Sequence, residues 1–297
     1  MNINREELPD KLTVFGTKLR LILITAILLA VAALSAEAWE IDSDIMVNLT
    51  QSQFSDNWNG SELSNITWAA TMNNTAQKQL AEWLKNKNTL KLAFGQTHLQ
   101  KENAAGDSVF WEAPQKSTDQ IAFESLMQFT LKSFVDPYIS LRAESQFLDE
   151  SGAETLLVNP VLFTESAGIM KTIIDAEKTK LNVRLGGALN ERWNRRVSGI
   201  PIDGGVEGIV EFKQILGLLN ASYNTRLSAY QALFKSDATA ADDNWKALDY
   251  KWENLLSFNL WKLLSLNLNF DVIYEKEQSP DIQWKEILGL GFSYALF

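Results

Sequence analysis

The C-terminal part of this 297-residue chain alternates between apolar and polar side chains with a period of two. From residue 264 to residue 274 the even positions are Leu, Phe, Val and Tyr, while the odd positions are mostly Ser, Asn and Asp. Residues 284–296 repeat the pattern, with Gly, Ser and Ala between the large residues. Successive side chains of a β-strand point to opposite faces, so one face of each segment needs an apolar environment. The pattern predicts β-strands with one apolar face.

The same alternation recurs through the rest of the chain, with changes of phase. It is clear at 65–73, 90–95, 120–132, 139–147, 181–192, 219–228 and 248–260. Residues 42–53 have only a short apolar face, and 160–174 have no clean alternation. Tight joins alternate with longer polar ones, as in an antiparallel meander. Residues 77–88 are the exception. A short turn is due at this position and the segment is too long for one, so we expect part of it to extend the strands or to form a helical turn. We expect an all-β, up-and-down barrel of about 12 strands, with 10 or 14 as alternatives.

Residues 1–38 read as a signal peptide. Lys18 and Arg20 precede a mostly apolar run at 21–34, which is followed by Ala36-Glu37-Ala38. The run is shorter than the roughly 20 residues that a membrane-spanning helix needs, and the small-x-small triplet supplies a cleavage site. An uncleaved amphipathic anchor fits less well, because the run has no polar face. The barrel domain is therefore expected at 39–297.

Composition excludes several classes of protein. The net charge of −10 argues against nucleic acid as a partner, since phosphates demand clustered Lys and Arg. The absence of cysteine rules out a disulfide scaffold in an exported chain. With no cysteine and one histidine, we expect neither a metal nor a cofactor.

Alternation alone does not separate a membrane barrel from a soluble one, which has the same two faces in the reverse sense. The polar face here is rich in Asn, Ser, Thr and Gly rather than dense in Lys and Glu, which favours a crowded lumen over bulk water. Aromatic residues near the strands suit interfacial girdles: Trp58, Trp68, Trp193, Trp245, Trp252, Trp261, Trp284, Tyr250, Tyr274 and Tyr294. Aromatic residues packed in a soluble core are the alternative. In hydrocarbon every backbone group must be paired, so the first and last strands must meet.

Several segments carry a family resemblance. They are QFSDNWNG at 53–60, LKLAFG at 90–95, NPVLFTESAG at 159–168, RLGGA at 184–188 and LGLGFSY at 288–294. Together they resemble an uncharacterised family of exported β-barrels from Bacteroidetes and related Gram-negative bacteria. The resemblance implies a location in the bacterial outer membrane, with membrane lipid and the barrel-assembly machinery as partners, and implies no catalytic residues.

The chain end resembles an assembly signal, with Tyr294 and Phe297 as its candidate residues. In common outer-membrane signals the terminal aromatic residue shares the lipid face of its strand. Phe297 instead falls in phase with Gly291, Ser293 and Ala295, unless a terminal bulge shifts the register. This departs from the usual pattern.

Charged residues on the polar faces are the candidate functional surface. Those expected to line the lumen are Glu124, Lys132, Arg142, Glu144, Arg184, Arg192, Arg226, Asp249, Lys251, Glu253, Asp271 and Glu275. Opposite charges across a narrow barrel either pair and plug it or form a transverse field that orients a polar solute. We expect a narrow, porin-like passage for small polar solutes. The alternative is a plugged barrel whose exterior loops bind a partner.

The single histidine, His98, supports a further alternative, a surface lipid-modifying enzyme. Nucleophile activation needs a base that a third group orients, and no such motif is present. An interfacial histidine without catalytic role is therefore the favoured interpretation, and no enzymatic activity is expected.

Overall fold

A computed structural model describes residues 39–54, 63–103, 108–217, 220–239, 243–261 and 264–295. The predicted signal peptide at 1–38 and the predicted assembly residue Phe297 lie outside these residues. No helix among the described residues has the length and apolar content needed to cross a membrane.

The described chain is almost entirely β-structure, with one 3-10 turn at Asn244–Lys246. The strands are β1 (Glu40–Ser52), β2 (Asn65–Ala81), β3 (Leu84–Glu102), β4 (Val109–Trp111), β5 (Gln115–Phe129), β6 (Asp136–Ser145), β7 (Leu148–Asp149), β8 (Leu156–Leu157), β9 (Val161–Asp175), β10 (Thr179–Trp193), β11 (Ile202–Leu216), β12 (Ala221–Lys235), β13 (Leu248–Asn259), β14 (Leu264–Tyr274) and β15 (Gln283–Ala295).

The long strands form a ring of antiparallel neighbours. The pairing runs β1, β2, β3, β5, β6, β9, β10, β11, β12, β13, β14 and β15. It then returns to its start, because β1 pairs with β15 through Asp44–Asn48 and Gly291–Ala295. The described residues thus confirm an antiparallel up-and-down barrel, and the 12 strands of the ring match the expected number. The short strands β4, β7 and β8 lie outside the ring, in the connections.

Tight turns and long loops lie at opposite ends of the barrel. Only residues 82 and 83 join β2 to β3, and residues 176–178 join β9 to β10. The other end carries longer connections, such as 146–160 with its small β7–β8 hairpin. In bacterial outer-membrane barrels the short turns face the periplasm and the long loops face the exterior.

Burial is inverted relative to a soluble protein. Arg184, Glu207 and Asn267 are each at most 3% exposed, whereas Leu185, Leu288 and Trp284 are more than half exposed. The two sets lie on opposite faces of the same wall, because Leu185 is the immediate neighbour of Arg184 on β10. The polar face therefore points into the lumen and the apolar face points outward. A wall of this kind is stable only against hydrocarbon.

Exposed aromatic side chains mark both ends of the apolar zone. Trp83, Phe134 and Trp261 lie at the short-turn end, and Trp252 and Trp284 lie toward the long-loop end. Trp252 precedes Trp261 by nine residues on one strand and its turn. That length spans about 30 Å of strand, or about 21 Å along the membrane normal at a tilt of 45°. The separation matches the expected height of an apolar membrane band.

Two segments without a clear sequence pattern are strands. Residues 77–88 mostly extend β2 and β3, so the interpretation as strand extension is correct and the helical turn is wrong. Residues 161–175 form β9, whose inward face carries Leu162 and Met170 and whose outward face carries Glu165 and Lys171. Those four residues reverse the usual polarity of the two faces, which explains the missing alternation.

Candidate functional site in the barrel lumen

Four strands place charges in contact at the centre of the lumen. Glu124 on β5 accepts hydrogen bonds from Arg184 on β10, at 2.7 Å, and from Arg226 on β12, at 3.0 Å. Arg226 also donates to Glu211 on β11, at 2.6 Å. On the shorter way round the ring, four strands separate β5 from β12. The ion pairs therefore cross the lumen rather than run along one wall.

Further pairs extend this layer. Arg142 on β6 contacts Glu207 on β11, and Lys87 on β3 lies 3.9 Å from Glu211. We call the seven residues Lys87, Glu124, Arg142, Arg184, Glu207, Glu211 and Arg226 the lumen belt. Arg184 and Glu207 are nearly inaccessible, with side chains 2% and 4% exposed. Buried charges of this kind need their partners, because an unpaired one carries a large desolvation penalty.

A second chain of ion pairs lies beside the belt. Lys91 on β3 reaches Glu253 on β13, at 3.4 Å, and Lys251 lies 3.6 Å from Glu253 and 3.5 Å from Glu144 on β6. On the shorter way round, four strands also separate β3 from β13 and β6 from β13. The lumen is bridged in more than one direction.

An aromatic ring packs beneath the belt on the short-turn side. Tyr138 on β6 is 1% exposed, and the Arg184 guanidinium lies 5.8 Å from its ring centre. The ring fits because Gly186 has no side chain: a Cβ there would lie 2.7 Å from the Tyr138 Oη and 2.4 Å from the Ala167 carbonyl oxygen. The close approach at Gly186 is consistent with the crowded lumen that the sequence predicts.

A cavity of about 390 Å³ lies on the long-loop side of the belt. Part of its lining comes from the belt itself, through Glu124, Arg142, Glu207 and Arg226. Its carboxylates are Glu124, Glu144, Asp203, Glu207, Asp249, Glu253, Glu275 and Glu277, and its cationic residues are Lys91, Arg142, Arg192, Arg226, Lys235 and Lys251. We call this space the outer cavity. Its lining carries more negative than positive charges.

Two carboxylates of the outer cavity have no cationic partner among the described residues. Asp203 accepts hydrogen bonds from the Tyr230 hydroxyl, at 2.5 Å, and the Asn190 amide, at 2.9 Å. Asp249 on β13 is the register partner of Tyr230 on the neighbouring strand β12. In contrast, the neighbouring Glu275 pairs with Arg192 at 3.4 Å.

The structure places most of the predicted luminal residues together. Nine of them line the outer cavity: Glu124, Arg142, Glu144, Arg192, Arg226, Asp249, Lys251, Glu253 and Glu275. Arg184 lies in the belt, and Asp271 pairs with Lys285 at 3.1 Å on neighbouring strands. Lys132 is the exception, and its assignment to the lumen is wrong. It is exposed in the turn between β5 and β6 with φ of 57°, because β5 ends at Phe129.

Sequence reasoning missed the contribution of Lys87. It lies in the segment that was expected to contain a turn, so its phase was not assigned. The signal that could have found it is the register itself: Lys87 is four residues before Lys91, and side chains of one strand share a face at even spacing.

The remaining predicted positions lie away from the lumen belt. His98 lies on β3, where it pairs with Ile66 of β2, and is eleven residues from Lys87 of the belt. The described residues include no hydrogen bond or ion pair of its imidazole. Tyr294 pairs with Ile45 at the junction of β1 and β15.

The exterior loops carry a polar cluster of their own. Asp149 accepts hydrogen bonds from the Ser151 hydroxyl, at 2.6 Å, from the Asn159 amide, at 2.5 Å, and from the Arg196 Nε, at 2.8 Å. These hydrogen bonds hold the pKa of the Asp149 carboxyl well below its usual range. They fasten the 146–160 connection to the loop that follows β10.

The ring of strands, the inverted burial and the charged lumen define an outer-membrane β-barrel. A family model described as a protein of unknown function (DUF3078) matches residues 49–150, which agrees with the predicted resemblance to an uncharacterised family. A search of curated proteins found no match.

Two solved structures are similar over most of the chain. The COG4313 outer membrane channel from Pseudomonas putida F1 is 12% identical, with 89% of this chain and 97% of that chain covered and a TM-score of 0.43. The translocator domain of the autotransporter NalP from Neisseria meningitidis is 10% identical, with 94% and 98% covered and a TM-score of 0.35.

Proposed function

We propose that this barrel is a narrow passage for small polar solutes across the outer membrane. The observation that carries the proposal is the outer cavity, a space of about 390 Å³ in the lumen that is lined by many charged side chains and has the lumen belt as its floor. A cavity of this size is within the range of small-molecule sites. The belt is the constriction that a solute must pass.

The chemistry of the belt supports a selective passage rather than an open pore. Its cations and carboxylates pair across the lumen, so an ion or polar solute must replace one of these contacts to move through. The contact between Lys87 and Glu211 is the longest of the belt's ion pairs, at 3.9 Å, and the lysine side chain is long and flexible, so a solute can replace this contact without movement of the wall.

Planar-bilayer recording of the refolded, full-length barrel tests this proposal. We expect small, discrete conductance from the natural sequence. The double variant Glu124→Ala/Arg226→Ala removes both partners of one cross-lumen pair, so it leaves no isolated charge from that pair, and we expect a larger unitary conductance. The matched control, Asp271→Ala/Lys285→Ala, removes a pair that joins neighbouring strands outside the outer cavity, and its conductance should equal that of the natural sequence.

A closed barrel that serves as a scaffold is the second candidate function. The specific observation in its favour is the same set of cross-lumen ion pairs, since a lumen bridged in several directions is also a plug. Absence of conductance from both the natural sequence and the belt variant would favour the scaffold and contradict the passage.

A lipid-modifying enzyme centred on His98 stays a prediction. Hydrolysis of a phospholipid substrate by the natural sequence, and its loss in His98→Ala, would be needed to support it.

A further inference from the structure

The outer cavity has an uneven balance of charge that the proposed passage does not by itself require. All of its cationic residues have a carboxylate within ion-pair distance, whereas Asp203 and Asp249 have no cationic partner among the described residues. Asp249 also lies within electrostatic range of Asp203, Glu275 and Glu277. Carboxylates held close together repel one another, and a bound cation relieves that repulsion.

A second observation at the floor of the same cavity points to a ligand. Glu207 is 4% exposed, and its Oε1 has no hydrogen-bond partner, although its other oxygen contacts Arg142. The Nη1 of Arg142 is likewise buried without a partner. Buried polar atoms are normally hydrogen-bonded, so an unsatisfied acceptor and an unsatisfied donor beside a polar cavity mark places that a polar solute can fill.

Aromatic rings complete the lining. Tyr230 has its hydroxyl on Asp203, and Trp245 of the 3-10 turn lines the cavity near the exterior. An ammonium group is attracted both to carboxylates and to aromatic faces, whereas a carboxylate ligand is repelled by the first and gains little from the second.

We propose that the outer cavity binds small organic cations that carry a protonated amine, with Asp203 and Asp249 as the principal contacts and Glu207 as the contact at the floor. This inference rests on the proposed passage and names the chemical class of its solute. It also assigns the long-loop side as the side of capture, because the belt separates the cavity from the short-turn end.

Two four-carbon probes of opposite charge test the proposal: butane-1,4-diamine and butanedioate. Their binding is measured by isothermal titration calorimetry on the detergent-solubilised barrel at low ionic strength. We expect the diamine to bind about tenfold or more tightly than the dianion, and its affinity to fall as salt is added. Equal binding of the two probes, tighter binding of butanedioate, or no binding of the diamine overturns the proposal.

The double variant Asp203→Asn/Asp249→Asn locates the site. Each substitution preserves shape and removes one charge, so we expect the affinity for the diamine to fall about tenfold or more. Glu165→Gln is the matched control, because Glu165 is exposed on the outward face of β9. The affinity of this variant for the diamine should equal that of the natural sequence. An unchanged affinity in the double variant overturns the assignment. If that variant does not fold, Asp249→Asn alone carries the same expectation with a smaller change.

The calorimetry is independent of conductance. A barrel that binds the diamine but conducts no current would contradict the passage and leave the cation site supported. A barrel that conducts current but binds the diamine no more tightly than butanedioate would support the passage and contradict the cation site.

Discussion

Arg226 on β12 reaches across the lumen to Glu124 on β5, with 3.0 Å between Nη1 and Oε2. Glu124 also accepts from Arg184, so one carboxylate pairs with two guanidinium groups, both of which Glu211 contacts as well. The contact ties together strands that are not neighbours in the ring. The lumen belt therefore contributes to the stability of the wall as well as to the constriction.

Loss of this carboxylate should destabilise the barrel. Glu124→Ala leaves Arg184 and Arg226 with Glu211 alone, and removal of one partner of a buried pair costs about 3–5 kcal/mol. Urea unfolding in lipid vesicles measures the change. The double variant Glu124→Ala/Arg226→Ala should recover part of the loss, and a double-mutant cycle without coupling between the two sites would show that the pair adds nothing to stability.

Adjacent glycines on β10 should differ in their tolerance of a methyl group. A Cβ at Gly186 would lie 2.4 Å from the Ala167 carbonyl oxygen, whereas at Gly187 the nearest atom is 3.8 Å away. Gly186→Ala should lower the free energy of unfolding by about 1–3 kcal/mol, because backbone atoms must shift to admit the methyl. Gly187→Ala, the matched control, should be close to neutral. Equal effects of the two would mean that Tyr138 and the wall adjust freely.

A charge on the outward face should impair membrane insertion. Leu185 is 54% exposed on the outer wall beside Arg184, so Leu185→Arg places a cation against hydrocarbon at a cost of about 2–4 kcal/mol. Folding yield into vesicles, measured by heat-modifiable migration on gels, reports this cost. Leu157→Arg, at a leucine of the β8 loop strand that is also more than half exposed, is the control and should fold as the natural sequence does. If both fold equally well, the outward face is not in contact with lipid.

The exterior loop cluster should be sensitive to acid. The pKa of Asp149 is lowered in the folded loop by its hydrogen bonds from Ser151, Asn159 and Arg196. Its stabilising effect is therefore complete above the ordinary aspartate pKa of about 3.9 and is lost as the pH falls through the lowered value. The chain has no natural cysteine, so a spin label at Ala153→Cys reports loop mobility specifically.

We expect that label to stay immobile from pH 7 to about pH 4, near the ordinary aspartate pKa, and to become mobile only in stronger acid. Adding Asp149→Asn should make it mobile at every pH. A label that loosens already near neutral pH would contradict the role of Asp149.

The wall was predictable from sequence where each strand separates apolar from polar residues, as in β13 and β14. The prediction failed where the faces are mixed. In β9, Met170 points inward and Lys171 outward, which cancels the alternation, and at Lys132 the alternation continues past the residue where the strand ends.

The cross-lumen partners were not predictable in the same way. Sequence assigned Arg226 and Glu124 to one face, but which side chains meet depends on the stagger of strands around the ring. That stagger is set by the sum of all the neighbour registers. One of them, between β9 and β10, shifts by a residue at Leu181 and Asn182, and no residue type there indicates the shift. The same holds for the outer cavity, whose lining comes from loops as well as strands.

The junction of β1 and β15 is held by five described register pairs, whereas β1 and β2 share thirteen. Fewer ladder hydrogen bonds mean a lower free energy for local opening. Amide hydrogens that are bonded between β1 and β15 are therefore expected to exchange with deuterium sooner than those that β9 and β10 share. The first and last strands of the ring would then be the last to pair during insertion and the first to separate under load, which makes this junction the seam at which the barrel closes.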